Sequence, residues 1–231
     1  YRTDRNGYIE RLDGLIFGQN PRQGFEHEGD FVHPDLAFRF ALPDGWQWVN
    51  TAAAVQMGAP DKKALITFQL ASGQPTPDAA ATAFIQQNQF NEQLRRNLRI
   101  SGYSAVEVVG SMTSQGQTLV AQATFIAKDE LIYMFTGMSL LDDFERNRPV
   151  FNEVAAGFGP LQDAELLNTQ PVVLHVIAAD RTARFRDLVK NHPIPEEAGI
   201  ELSGLALMNG FGPDETVPQG TFLKVLQVRS P

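Results

Sequence analysis

The sequence contains no cysteine. That absence excludes disulfide staples, thiolate nucleophiles and Cys-ligated zinc or iron, and it leaves the compartment open, because many exported bacterial proteins also lack cysteine. No run approaches the roughly 20 consecutive apolar residues that a membrane-spanning helix needs. Positive charge is in short supply: 19 Lys and Arg stand against 27 Asp and Glu, for a net charge of −8. A chain of that sign is repelled by phosphate backbones and anionic lipid surfaces, so nucleic acid is not an expected partner. Internal repeats, low-complexity tracts and a secretory leader are lacking too, and Tyr1 stands where an initiator Met would. No G-x-S-x-G elbow, Gly-rich phosphate loop or H-E-x-x-H helix occurs, so the reading assigns no catalytic residue, no metal ligand and no cofactor site to these residues.

What is present is the composition of a globular protein, 231 residues of which 43% are hydrophobic, enough for one large domain or two ordinary ones. The clearest stretch is 31–48. Leu36, Phe38, Phe40 and Leu42 alternate with Ala37, Arg39 and Ala41, which predicts a strand with one buried face. Pro43-Asp44-Gly45 then supplies a preset φ, a side chain able to bond the backbone of a turn, and a residue free to take positive φ. Residues 53–57 and 63–71 read as two further antiparallel strands joined by a hairpin. Thr76-Pro77-Asp78 is a helix-start signature for a helix to about Asn88, followed by a break or a second short helix near Gln89. Strands are expected at 103–112, 118–126 and 131–136, and their short polar connections force antiparallel pairing. Phe144, Phe151, Val154, Ala155 and Phe158 define one helical face over 142–157, with Pro149 starting or kinking it.

At the start of the chain, Tyr8, Ile9, Leu12, Leu15 and Ile16 fall at helical spacing and need a partner, which reads as a fragment cut near a helix of a preceding domain. Residues 18–29 have the polar, Gly-rich composition of a connector. Beyond a polar linker at 161–170, the pattern is β-α-α-β: a strand at 172–177, a helix at 184–190, the breaker His192-Pro193-Ile194-Pro195, a helix at 202–208 and a strand at 222–227.

The one cluster of metal-type ligands is 27–33, but His27 and His33 are six apart with Gly29 between and Pro34 after, so no helix presents both. A solvated linker is the simpler reading. His175 and His192 read as structural. Trp46 and Trp48 read either as a ligand-stacking wall or as core and rim aromatics.

Three stretches carry resemblances. Residues 204–227, with Leu207, Asn209, Asp214, Gly220, Leu223, Lys224 and Val225, resemble the later part of a LysM repeat, although Ala179-Asp180-Arg181-Thr182 departs from the Gly-Asp-Thr expected after its first strand. Residues 30–160, entered through Phe40-Ala41-Leu42-Pro43-Asp44-Gly45-Trp46, are similar to PsbP-like domains. Residues 15–25 followed by Phe31-Val32-His33-Pro34 resemble the region after the catalytic domain in BepA-like zinc metallopeptidases, gluzincins of the group that includes the CAAX prenyl endopeptidases.

The resemblances imply an α+β protein: residues 1–29 as helix and linker from a missing catalytic domain, 30–160 as an antiparallel sheet of about six strands covered by helices, 161–170 as linker, and 171–231 as a LysM-like unit. They imply a non-catalytic accessory region of a secreted or periplasmic zinc-dependent protease, with zinc held in the missing domain. Expected partners are that upstream domain and envelope proteins or peptidoglycan. The weak interaction candidates are Arg22, as a clamp on a carboxylate of the protease domain or else a surface charge, His33 and Trp46.

Overall fold

The computed structural model describes residues 5–18, 20–71, 73–114 and 116–230. Gln19, Ser72 and Gln115, which belong to the connector, a break and a turn read from the sequence, lie outside the described residues, as does Tyr1. The chain divides into two compact units, one of residues 23–167 and one that joins the segment up to Arg22 with the residues from Asn168 onward.

α1 (Arg5–Glu10) opens the second of these units. The predicted helical stripe is not one face. The helix ends at Glu10, Ile9 is buried, and Tyr8 and Leu15 are exposed. Gly14, at φ +78°, turns the backbone so that Leu15, Ile16 and Phe17 run extended, a conformation the helical spacing had concealed.

Within residues 23–167, β1 (Phe25–His27), β2 (Asp30–His33) and β3 (Phe38–Ala41) form a small antiparallel sheet. Residues expected to be a solvated connector therefore form a hairpin. Glu28 and Gly29, both at positive φ, make its two-residue turn, and Phe31 and Val32 are buried. Phe38 and Phe40 face the core and Arg39 faces solvent, as the alternation predicts. The chain then leaves this sheet at Pro43-Asp44-Gly45, with Gly45 at φ +73°.

β4 (Gln47–Asn50), β5 (Ala54–Gly58), β6 (Ala64–Leu70), α2 (Pro77–Gln87), β7 (Asn91–Ile100), β8 (Tyr103–Ser114), β9 (Gln117–Lys128), β10 (Leu131–Leu140) and α3 (Leu141–Ala156) follow. The seven strands form one antiparallel sheet in the order β4-β5-β6-β10-β9-β8-β7. β3 is not among them: the expected sheet of about six strands has seven, and the clearest strand of the sequence belongs to the small sheet beside it. β7 replaces the expected break or second helix; as an edge strand its exposed polar side chains leave no alternation to read, and Leu94 and Leu98 mimic helical spacing. α2 begins as predicted, the Thr76 hydroxyl accepting the Ala79 N–H at 3.1 Å, and Gln89 at φ +49° ends the helical path.

One face of the large sheet meets the small sheet and α3 over a core that includes Phe31, Phe38, Phe40, Phe68, Tyr133, Phe151 and Phe158. The other face meets α2 over Val106, Val108, Ala121 and Phe125. The unit is closed by β11 (Gly159–Pro160), which pairs with β3, and by α4 (Ala164–Leu167), whose first N–H groups bond the Asp163 carboxylate inside the expected linker.

The remaining elements are β12 (Val172–Ala178), β13 (Ala183–Arg184), α5 (Phe185–Val189), α6 (Leu202–Asn209), β14 (Thr216–Val217) and β15 (Phe222–Val228). β12 and β15 pair antiparallel, giving the β-α-α-β order read from the sequence, with Phe185, Leu205, Val217, Leu223 and Val225 at its core. Residues 14–17 add to the free side of β12 through Gly14 N–H to Leu174 O, Leu174 N–H to Leu15 O and Phe17 N–H to Val172 O. Asn209, 4% exposed, joins α6 to β15: its Nδ2 donates to the Leu205 and Lys224 carbonyls and its Oδ1 accepts the Lys224 N–H at 2.7 Å.

Two substitutions test these packings. Gly137 lies under the Phe151 ring, where an added Cβ would stand 2.3 Å from Cγ. Gly137→Ala is expected to destabilise by about 1–3 kcal/mol in urea unfolding, as overpacked cores do. Asn209→Ala, which removes the three bonds this buried side chain makes to Leu205 and Lys224, is expected to cost roughly 1–3 kcal/mol by the same measurement.

Candidate functional site

The three residues singled out by the sequence stand on three different segments. Arg22 is half-buried on a short 3-10 turn over Pro21–Gln23, its N–H bonded to Asn20 Oδ1. His33 ends β2, its Nδ1 accepting the Leu36 N–H at 3.2 Å and its ring 5.2 Å from that of Phe38. A neutral His33 so bonded carries its proton on Nε2. Trp46 follows the corner at Gly45 and packs, half-buried, on the core beside a separate hollow with Leu42, Val150 and Val154. Trp48 meets Phe31 edge to face, so the two indoles serve the core and do not form a parallel wall. Among the described residues no three His, Asp or Glu side chains stand close enough together to hold a metal ion. His175 on β12 binds the Asp13 carboxylate at 3.1 Å, which together with the Val176 N–H fixes the turn before residues 14–17.

His33 does lead to a site. It stands at the mouth of a cleft of about 180 Å³ between the two sheets, lined by Phe31, Leu36, Phe38, Val55, Phe68 and Tyr133. β2 and β3 supply one wall, and β5, β6 and β10 the other. The rim carries neutral polar groups from Asn50, Thr51 and Gln69, and among the described residues no carboxylate, Lys or Arg lines the cleft. Asn50 Nδ2 donates to the Gln23 and Gly24 carbonyls, and the Thr51 hydroxyl bonds Ala54, so the β4–β5 loop that forms part of the rim is held in place. A lining of this kind suits an uncharged group.

Tyr133 distinguishes the inner wall. It comes from β10 opposite Leu70 of β6, stacks on Phe68 with ring planes 9° apart, and is 1% exposed. Its hydroxyl has no hydrogen-bond partner among the described residues. Burial above all, then the negative charge of Asp129 and the nearby Tyr103, pushes its pKa up to about 12. Sequence reading passed over it because the strand 131–136 reveals which residues share a face, and not what lies across from them.

A second hollow of about 650 Å³ is lined by polar groups that already serve the fold: Asp30 pairs with Arg39 at 3.1 Å, the Ser101 hydroxyl donates to Phe158 O at 2.7 Å, and Asp163 caps α4. In the other unit, the pairing of β13 with β14 sets loop 178–182 beside loop 211–217. Gln219 ties them further, its N–H to the Thr182 hydroxyl and its Nε2 to Asp180 O, while Asp214 accepts from Arg186 at 2.8 Å.

No family model matches the chain, and no curated protein matches it in sequence. Among solved structures it is similar to cyanobacterial PsbP from Synechocystis sp. PCC 6803 (12% identity, TM-score 0.47, 57% of this chain and 91% of that one). It is also similar to LpqN of Mycobacterium tuberculosis, a protein involved in cell envelope biogenesis (13%, 0.38, 52% and 81%), and to the Ran-binding protein Mog1p of Saccharomyces cerevisiae (10%, 0.42, 56% and 93%). The fold class is α+β, and no described helix is long and apolar enough to cross a membrane.

The buried phenol gives a pH signature. An unfolded chain releases the Tyr133 proton near pH 10, whereas the folded one holds it to about 12. The native state then binds more protons than the unfolded state, so the Tyr133 contribution is intact below pH 10 and is lost as pH rises through this window. Ultraviolet titration should show one of the four tyrosines ionising last, and Tyr133→Phe should remove that step.

Proposed function

We propose that the chain is a non-catalytic accessory region of a zinc-dependent protease, and that its task is to hold a polypeptide partner or substrate by an apolar side chain seated in the cleft beside His33. The carrying observation is the cleft itself: buried aromatic walls, an uncharged interior and a rim of amide and hydroxyl groups suited to a peptide backbone. On this reading the chain carries no catalytic residue or cofactor of its own, zinc belongs to an upstream catalytic domain, and the setting is the periplasm or cell envelope. The protease assignment draws on the resemblance of residues 15–34 to the gluzincin group, and Arg22, in that segment, is the residue assigned to contact with the catalytic domain.

A second reading is favoured by a separate observation. The β13–β14 pairing places loops 178–182 and 211–217 side by side, the arrangement a LysM-like unit would use to hold the acetamido groups of peptidoglycan.

An unfolded polypeptide offered to the chain should bind saturably by fluorescence anisotropy, and Ala53→Trp, on the exposed rim, should abolish that binding. Stoichiometric zinc together with hydrolysis of the polypeptide would overturn the accessory reading. Retention on purified cell wall that is lost in Asp214→Ala/Gln219→Ala would support the glycan reading instead.

A further inference from the structure

We propose that the hollow beside Trp46 is a docking site for a basic segment of a partner polypeptide, whose lysine or arginine side chain lies against the indole with its charged end among the surrounding carboxylates. The hollow adjoins Asp30, at the opposite end of β2 from His33, and the proposal does not draw on the reading of the cleft.

Three segments build the site. The β1–β2 turn contributes Glu28, the corner after β3 contributes Asp44 and Trp46, and α3 contributes Val150, Glu153 and Val154, which share a face through their spacing of three and four. The Leu42 N–H donates to Gly29 O at 2.8 Å and the Trp46 N–H to Pro43 O at 3.1 Å, so the turn and the corner are held in place. The space between the three segments is about 380 Å³. That lies within the roughly 300–1,000 Å³ of sites that receive a ligand.

The floor is apolar and incompletely covered. Leu42, Trp46 and Val150 pack on the core of the unit yet are only half-buried. Tryptophan is the best aromatic partner for a cation. Lysine and arginine also carry an apolar stem, which can cover such a surface while the charge stays in water.

The border fixes the sign. Glu28, Asp30, Asp44 and Glu153 stand around the hollow, and among the described residues no Lys, Arg or His lines it. Asp30 pairs with Arg39 at 3.1 Å. The carboxylates of the other three have no hydrogen-bond or ion-pair partner among the described residues. Such a border complements a basic segment and disfavours a second copy of this chain, whose net charge is −8.

The spread of the carboxylates separates an organic cation from a metal ion. No three His, Asp or Glu side chains among the described residues stand close enough together to hold a metal ion, so a compact divalent cation finds no ligand shell here. A side chain several bonds long can lie on Trp46 and still reach the border.

Blocked tetralysine, tetra-arginine and tetraserine peptides, titrated into the whole chain and followed by two-dimensional NMR, test the site. Either basic peptide should give saturable shifts at the Trp46 indole N–H, Gly29 and Gly45, tetraserine none, and the binding should weaken as salt is raised. Trp46→Leu, which keeps an apolar side chain on the core, should cut the affinity roughly 2- to 5-fold, the worth of an exposed cation–π contact, and leave the salt dependence in place. Asp44→Asn/Glu153→Gln should weaken binding by roughly 2- to 30-fold, as two exposed ion pairs are lost, and reduce the salt dependence. Glu196→Gln/Glu197→Gln removes as many charges from exposed positions elsewhere and should change neither. Equal losses in these two double variants would mark attraction to net charge alone and overturn the proposal, as would saturation of the same residues by calcium chloride or the absence of a saturable shift at Trp46. Ala53→Trp, at the cleft, should leave this binding unchanged, so failure at one site is read separately from failure at the other.

Discussion

The unit of residues 23–167 depends on one aromatic cluster. Phe38 lies within 5.2–6.3 Å of Phe31, Phe40, Phe68, Tyr133 and Phe158, centroid to centroid, and these rings come from both sheets and from the segment after α3. Neither sheet could hold its inner face dry alone. The small sheet has strands of two to four residues, too short to be stable without a partner layer. Burial of the rings supplies the drive, and their tilted and edge-to-face contacts fix how the layers meet.

The same face carries the structure's least compliant polar groups. Glu107, 2% exposed, takes two bonds from Arg96 at 2.8 and 3.2 Å, and Gln122 donates to Asn152 of α3 while its Oε1 has no protein partner. An ion pair so placed adds little net stability against an apolar substitute, but removing one member leaves a buried charge. It therefore holds the edge strand β7 in register with β8, where the ladder already carries an irregularity between Glu92 and Leu94. The cleft lies at the opposite side of the sandwich, where β4 and β5 are short and their loop is held by hydrogen bonds, not by packing.

How much of this the residues disclosed depends on the range of the interaction involved. β3, α2 and the central strands were legible because their signals are local: the alternation of Phe38 and Phe40, the Thr76 cap, the short turns between β8, β9 and β10. The β1–β2 hairpin was equally local, yet the charged and His-containing run 26–30 hid the two-residue turn at Glu28-Gly29. β7 was illegible because an edge strand with solvent on its side chains has no buried face to mark. The division into two sheets at Pro43-Gly45 was visible as a corner, but not as a change of partner. The site was the least legible part. His33 was identified as a bare side chain, while Phe68 and Tyr133 are separated from it by 35 and 100 positions and converge through strand pairings that no local pattern encodes.

The pairing of residues 14–17 with β12 makes the smaller unit discontinuous, an assembly with the whole of residues 23–167 inserted into it. At ribosomal rates of about 5–20 residues per second, its first pieces emerge roughly ten to thirty seconds before the strand they pair with. Throughout that interval Phe17, which ends up packed against the core of that unit, has no native surface to bury against. The larger unit is one continuous stretch, residues 23–167, so all of its strands are made before Asn168, and synthesis imposes an order of assembly in which residues 14–17 wait longest for the strand they pair with.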